Sequence, residues 1–184
     1  MTRSAYTHPM QYLNRDELKR LFQVAYDQNR LHHLALVVGL WHGLRVSETV
    51  AITGAHIADG QLSVRRLKRS KATCQPIHRD ADPLFDETPL LDMAKRNPGR
   101  LFPFSRQRVD QFIRKYAALA GIHPEKAHSH AVCKHSMAML LWDATKNLGQ
   151  IQSYLGHKAA SSTLCYLVEA DARKAQAAVA GISI

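Results

Sequence analysis

Cysteine is scarce in this chain of 184 residues. Cys74, Cys133 and Cys165 are the only three, and no two form a Cys-x-x-Cys pair. An odd count without paired spacing argues against a disulfide framework and for a reducing compartment, so a cytoplasmic location is expected. Long apolar runs are also missing. The longest, Leu34 to Trp41, is far short of the roughly 20 residues of a membrane span and reads as a buried helix. The opening MTRSAYTHPMQYL has no apolar stretch of the signal-peptide kind. There is no Gly/Ser/Pro linker, internal repeat or low-complexity segment. One domain is therefore expected over 13–184, behind a loose N-terminal arm of residues 1–12. Acidic residues are absent from Gln61 to Arg79, where Arg65, Arg66, Lys68, Arg69 and Lys71 crowd together.

What is present is apolar material and positive charge. Hydrophobic residues make up 46% of the chain, enough for a real core, and the net charge is +10. A basic excess of this size suits a polyanionic partner. Nucleic acid is the first candidate; ribosomal, membrane-surface and heparin-type partners stay open on charge alone.

The order of elements is mostly helical. Asn14 and Glu17 form a capping-box pattern, Leu13 can staple onto Leu18, and Leu18, Leu21, Phe22 and Ala25 mark one helical face. A second helix is expected from Arg30 to His42, with Gly43 ending it in a left-handed conformation, and a short third from Ser47 to Ile52. Asp59-Gly60 signals a turn, and Gln61–Leu67 and Thr73–Ile77 read as two strands of a basic hairpin. Helices follow at Pro89–Arg96, Ser105–Leu119, Lys134–Ala144, Leu148–Leu155 and Ser161–Leu167. A separate C-terminal helix is expected from about Ala170 to Val179. The fold class is therefore mainly α with a small antiparallel hairpin or sheet (α+β).

Four segments carry a resemblance. Gly43-Leu44-Arg45-Val46-Ser47-Glu48 resembles the G-L-R-x-S-E box of tyrosine recombinases, and Leu155-Gly156-His157 with Tyr166 resembles their L-G-H…Y pattern. Lys134-His135-Ser136 stands at the spacing of the R-H-S stretch, and Arg66-Leu67-Lys68…Gln75-Pro76-Ile77 is similar to the strand pair of the small fimbrial-switch recombinases. Each motif is weak singly; together, in order, they cover about Leu13 to Leu167 of the phage integrase type, and they imply the tyrosine-recombinase catalytic-domain fold. Like the fimbrial-switch proteins, the chain is expected to lack a separate core-binding domain.

The resemblance implies a site-specific recombinase or integrase. Tyr166 would cut DNA to give a 3′-phosphotyrosyl bond and a free 5′-hydroxyl, as in type IB topoisomerases, with no cofactor or metal. Arg45 and Lys134 would stabilise phosphate oxygens, Glu48 would hold Arg45, and His157 would touch the phosphate or assist the tyrosine. Lys68 is the expected general acid, with Lys71 as rival. His130, or else His128, fills the first histidine role. The sequence departs from H-x-x-R-H in two ways: a lysine stands where an arginine belongs, and the spacing from His130 is longer by one residue. Arg65, Arg66, Arg69, Lys71, Arg106 and Arg108 are expected to contact double-stranded DNA, and Arg106 or Gln107 could reach base edges. Lys95, Arg96, Arg100, Arg114 and Lys115 extend the same basic run. A homodimer on each site and a homotetramer in synapsis are expected, the C-terminal helix docking on a neighbour or on its own domain.

Each residue has a plainer alternative. Arg45 and Glu48 could be ordinary first-turn residues, His157 a helix cap, the basic runs solvated faces, and Tyr166 a core tyrosine such as Tyr116 or Tyr154. His128, His130, Cys133 and His135 crowd together, but no second ligand pair stands at finger spacing, so no metal is expected. Two other functions compete: a recombinase-like module that binds DNA with weakened or no cleavage, which Lys134 favours, and a basic helical DNA- or RNA-binding protein.

Overall fold

The computed structural model describes residues 10–67 and 70–180. Helix α1 (Arg15–Gln28) opens on the expected capping box, the Asn14 side chain accepting from the Glu17 N–H and Glu17 accepting from the Asn14 N–H, both at 2.9 Å. Leu18, Leu21, Phe22 and Ala25 turn inward. Helix α2 (Arg30–Trp41) is buried on every side from His32 to Leu40, as its continuous apolar text requires. One face joins α1, α5 (Arg106–Leu119) and Met137 in the largest core cluster. The other joins Ile52, Leu62, Val64, Leu90 and Phe102 in a second. The central helix thus has no solvent face, and its C-terminal end can deliver the chain to a fixed point.

That end is sharp. Gly43 takes φ +55° and lets the chain turn into the short helix α3 (Val46–Thr49). Three antiparallel strands follow, β1 (Ile57–Ala58), β2 (Gln61–Val64) and β3 (Thr73–Pro76), with Leu62 opposite Gln75 and Val64 opposite Thr73. The hairpin is therefore part of a three-stranded sheet, and β1, only two residues long, has no periodicity to betray it. Helix α4 (Pro89–Arg96) and α5 keep their expected bounds.

The C-terminal third differs from expectation twice. A π turn, His130–His135, precedes helix α6 (Ser136–Thr145), where one α-helix was expected from Lys134. Its wider turn houses one more residue than an α turn, which absorbs the extra residue before Lys134. Helix α7 spans Leu148–Tyr154, and helix α8 runs unbroken from Ser161 to Ala180. The expected separate helix from about Ala170 is thus corrected to the second half of α8, since neither Gly nor Pro stands between Leu167 and Ala170 to end it. A third core cluster, Ala138, Met139, Trp142, Ile151, Leu155, Tyr166 and Ala170, joins α6, α7 and α8. Met10 and Tyr12 of the expected arm pack against it; residues 1–9 lie outside the described residues.

Candidate active site

Two glycine turns bring the sequence motifs together. A Cβ on Gly43 would lie 2.4 Å from the Leu155 side chain, so the first box packs directly on the second. Gly156 has φ +67°, and a Cβ there would meet the Lys71 carbonyl at 2.6 Å. The Lys71 N–H donates to the Gly156 carbonyl at 2.9 Å, which ties the basic hairpin loop to the turn that carries His157.

On this frame Glu48 is a hub. Its carboxylate accepts from the Arg45 N–H (2.9 Å), from Arg45 Nη1 (2.9 Å), from the Leu67 N–H (2.9 Å) and from Arg66 Nη1 (3.3 Å). Burial would raise this carboxyl, but those hydrogen bonds and the Arg66 charge outweigh it and hold Glu48 below the usual carboxylate range. Arg45 is thereby fixed at the start of α3 with its fork partly open to solvent.

Arg66 is buried against this hub. Its Nε donates to Thr73 Oγ1 (2.9 Å), Nη2 to the His42 carbonyl (2.6 Å) and Nη1 to the Gly43 carbonyl (3.3 Å) as well as to Glu48. Each nitrogen of this buried guanidinium thus has a partner within the protein. Arg100, exposed, donates to the carbonyls of Val50 (2.8 Å) and Phe104 (2.5 Å). Arg65, Lys71, Arg106 and Arg108 are exposed. Lys68 and Arg69 lie outside the described residues.

The second half of the site is built from rings. The His157 and Tyr166 rings are parallel within 6° at a centroid separation of 6.4 Å, and His135 meets Tyr166 edge-on at 6.0 Å. His157 Nδ1 and the Thr163 hydroxyl share a hydrogen bond of 2.9 Å. His135 Nδ1 lies 3.1 Å from the Gln11 carbonyl and so carries its proton there. Burial, then the charges of Lys134, Arg45 and Arg66, push the His157 imidazole down to about 4, so the ring is neutral at pH 7. Burial likewise pushes His135 down to about 4 against the Gln11 bond. Tyr166 is 2% exposed. Burial drives its phenol above its ordinary range, Cys165 adds to this, and Arg45 opposes it. The Gly43–Leu155 contact and the Lys71–Gly156 hydrogen bond hold the two halves together.

Lys134 lies on the π turn. It is 5% exposed and interacts electrostatically with Arg45, Glu48, Arg66 and Cys165. Of the two first-histidine candidates, His130 stands against His135 at 5.7 Å, and His128 accepts from the Ala131 N–H at 3.2 Å, capping the π turn. The histidine in ring contact with Tyr166 from this stretch is His135. Sequence reasoning had placed it within the R-H-S-like stretch but given it no role. Thr163 and Ser136 were also missed. Ser136 is fully buried, accepts from the Leu13 N–H (2.8 Å) and donates to the Ala131 carbonyl (2.7 Å), pinning the π turn to the start of α1. Among the described residues, no group of three or more His, Cys, Asp or Glu could hold a metal ion, and no helix is long and apolar enough to cross a membrane.

Known proteins are similar to this chain in sequence and in fold. XerD of Xanthomonas campestris is 35% identical over 60% of this chain and 33% of its own length. FimE of Escherichia coli K12 is 26% identical over 88% of this chain and 87% of its own. XerH bound to a palindromic difH substrate, in its post-cleavage complex, superposes with a TM-score of 0.76 at 18% identity, covering 96% of this chain and 55% of the other. A lambda integrase tetramer bound to a Holliday junction gives 0.68 at 22% identity, over 88% and 50%. The chain spans from about a third to somewhat over half of the length of the XerD relatives it matches. The profile of the phage integrase family matches residues 11–173, and the chain, mainly helical around a three-stranded sheet and carrying the catalytic-domain fold of the tyrosine recombinases, belongs to that family.

Proposed function

We propose that this domain cuts and rejoins double-stranded DNA as a site-specific recombinase, with Tyr166 as the nucleophile. The carrying observation is the approach of the two motif turns, Gly43 against Leu155 and Lys71 against Gly156, which mounts Arg45, held by Glu48, and His157, stacked on Tyr166, on one frame. Phosphoryl transfer asks mainly for a positioned nucleophile and fixed positive charge on the non-bridging oxygens. The Tyr166 oxygen attacks phosphorus, the bond to the 5′-oxygen breaks, and a 3′-phosphotyrosyl link conserves the bond energy for rejoining. Arg45, held rigid by Glu48, grips the phosphate with its planar fork. Neutral His157, oriented through Thr163, offers its other ring nitrogen to the phosphate or to the phenol. Lys68 supplies the proton to the leaving 5′-oxygen, with Lys71 the alternative.

Grip on DNA comes from Arg65, Arg69, Lys71, Arg106 and Arg108, through phosphates, so affinity falls steeply with salt. Two sites are joined, which calls for a homodimer on each and a homotetramer in synapsis, working in the cytoplasm. The buried position of Tyr166 and the lysine at position 134 favour a second reading, a module that binds DNA without cutting it. Incubation with nicked duplexes from the flanks of its own gene separates the two. A protein–DNA adduct on a denaturing gel, lost in Tyr166→Phe, supports cleavage. Salt-sensitive binding with no adduct, in the wild type and in Lys134→Arg, supports the binding module.

A further inference from the structure

Resting on the phosphodiester reading above, we propose that Glu87 and His42 are a buried positioning pair: the Glu87 carboxylate locks the His42 ring, and the ring, through the Gln75 amide, holds the turn of Arg45 and the turn of His157 in one register. Neither residue belongs to a motif read from the sequence. Glu87 stands in the loop between β3 and α4, and His42 follows the last residue of α2. They are 0% and 1% exposed. Glu87 Oε1 lies 3.1 Å from His42 Nε2, and Glu87 Oε2 accepts from the His78 N–H at 2.7 Å. On the other side of the ring, His42 Nδ1 stands 2.9 Å from Gln75 Oε1, and Gln75 Nε2 donates to the Tyr154 carbonyl at 3.0 Å. Tyr154 closes a second path, its hydroxyl donating to the Trp41 carbonyl at 2.6 Å. The chain of contacts from Glu87 thus ends on the residues directly before Gly43-Leu44-Arg45 and Leu155-Gly156-His157.

Donors and acceptors fix the direction of each contact. A carbonyl only accepts, so the Gln75 amide turns its nitrogen to Tyr154 and its oxygen to His42. His42 Nδ1 therefore donates. Its Nε2 then faces a carboxylate oxygen, and two acceptors at 3.1 Å call for a proton between them. Among the described residues neither of these two atoms has a hydrogen-bond partner elsewhere. The ring is thus held from both ends. The His42 carbonyl in turn accepts from Arg66 Nη2 at 2.6 Å, and Arg66 donates to Glu48, which holds Arg45. A buried ion pair gives little or no stability over apolar side chains of the same volume. Direction is what apolar groups cannot supply, since their packing is non-directional and leaves the Gln75 amide oxygen without a donor.

Three proteins test the pair: the wild type, Glu87→Leu combined with His42→Leu, and Glu87→Gln. The double change removes both partners at once, so no charge is left buried alone. In Glu87→Gln the new amide donates to His42 Nε2 and accepts from the His78 N–H, so the chain of contacts stays whole. Each protein is read by the Arg45 Nε–H and His157 ring NMR signals without DNA, by DNA affinity, and by the single-turnover rate of adduct formation on saturating nicked duplex. The double variant is expected to fold, to bind DNA within about twofold of the wild type, and to form adduct about ten- to a hundredfold more slowly, as a small misplacement of reacting groups does. Its Arg45 and His157 signals move, and Glu87→Gln restores both signals and rate. A double variant that does not fold assigns the pair to stability and overturns the proposal. So do Arg45 and His157 signals that stay in place in the folded double variant, an adduct rate equal to that of the wild type, or a Glu87→Gln protein as slow as the double variant. If the wild type itself forms no adduct, the cleavage reading falls, while signals that move in the double variant and return in Glu87→Gln still uphold the positioning pair.

Discussion

The two halves of the site are held by different forces. Around Glu48, four hydrogen bonds of 2.9 to 3.3 Å and a buried Arg66 with every nitrogen engaged fix the side that carries Arg45. Around Tyr166, the contacts are ring against ring at 6.0 and 6.4 Å, with the Thr163 hydroxyl as a directional bond on His157. Hydrogen bonds to charged groups are strong and angular, whereas packing is weakly directional. The electrostatic side is therefore set within the protein itself, while Tyr166, the proposed nucleophile, is buried in a packed cluster whose geometry can be adjusted at lower cost.

The contrast can be broken most severely at its hub. Glu48→Ala leaves Arg66 buried without its counter-charge, so a loss of about 3–5 kcal/mol is expected in urea unfolding, together with loss of adduct. A smaller loss in stability would mean that the carbonyls of His42 and Gly43 suffice for Arg66. Next come the two glycines. Gly156→Ala adds a left-handed strain to a clash with the Lys71 backbone carbonyl, about 2–3 kcal/mol together. Gly43→Ala meets only the end of the Leu155 side chain, which can move, so about 1 kcal/mol is expected.

Acid sharpens the difference between the halves. His157 and His135 are pushed down to about 4 in the folded protein, against an ordinary value near 6.5 in the unfolded chain. The unfolded state therefore binds more protons between pH 6.5 and 4. Stability falls as pH drops through that window, by on the order of 2–3 kcal/mol for His157. Urea midpoints at pH 7 and pH 4.5 check this, and His157→Asn should flatten the slope. An effect as small as that of Gly43→Ala is expected at Thr163→Val, about 1 kcal/mol with a several-fold slower adduct. No change in rate would show that packing alone orients His157.

Much of this was legible in the sequence because the signals were local. The capping box at Asn14, the start of α5 at Ser105 and the left-handed Gly43 each depend on residues within a few positions. The basic loop is less legible for the opposite reason. Arg66 reads like its neighbours Arg65 and Lys68, and only the tertiary approach of Glu48 and the His42 carbonyl turns it inward. The extra residue before Lys134 was visible as a spacing anomaly, but the π turn that absorbs it depends on Ser136 reaching Leu13 at the far end of the chain. His135 and Thr163 join the site only after α6, α7 and α8 pack.

The central claim, that Tyr166 is the residue joined to DNA, is tested most directly by digesting a trapped adduct with trypsin and identifying the nucleotide-bearing peptide. Tyr166 falls within 159–173 and Tyr154 within 147–158, so the two cannot be confused. The account predicts the nucleotide on the 159–173 peptide, at Tyr166; attachment at Tyr154, at Tyr116 or at any other residue would contradict it.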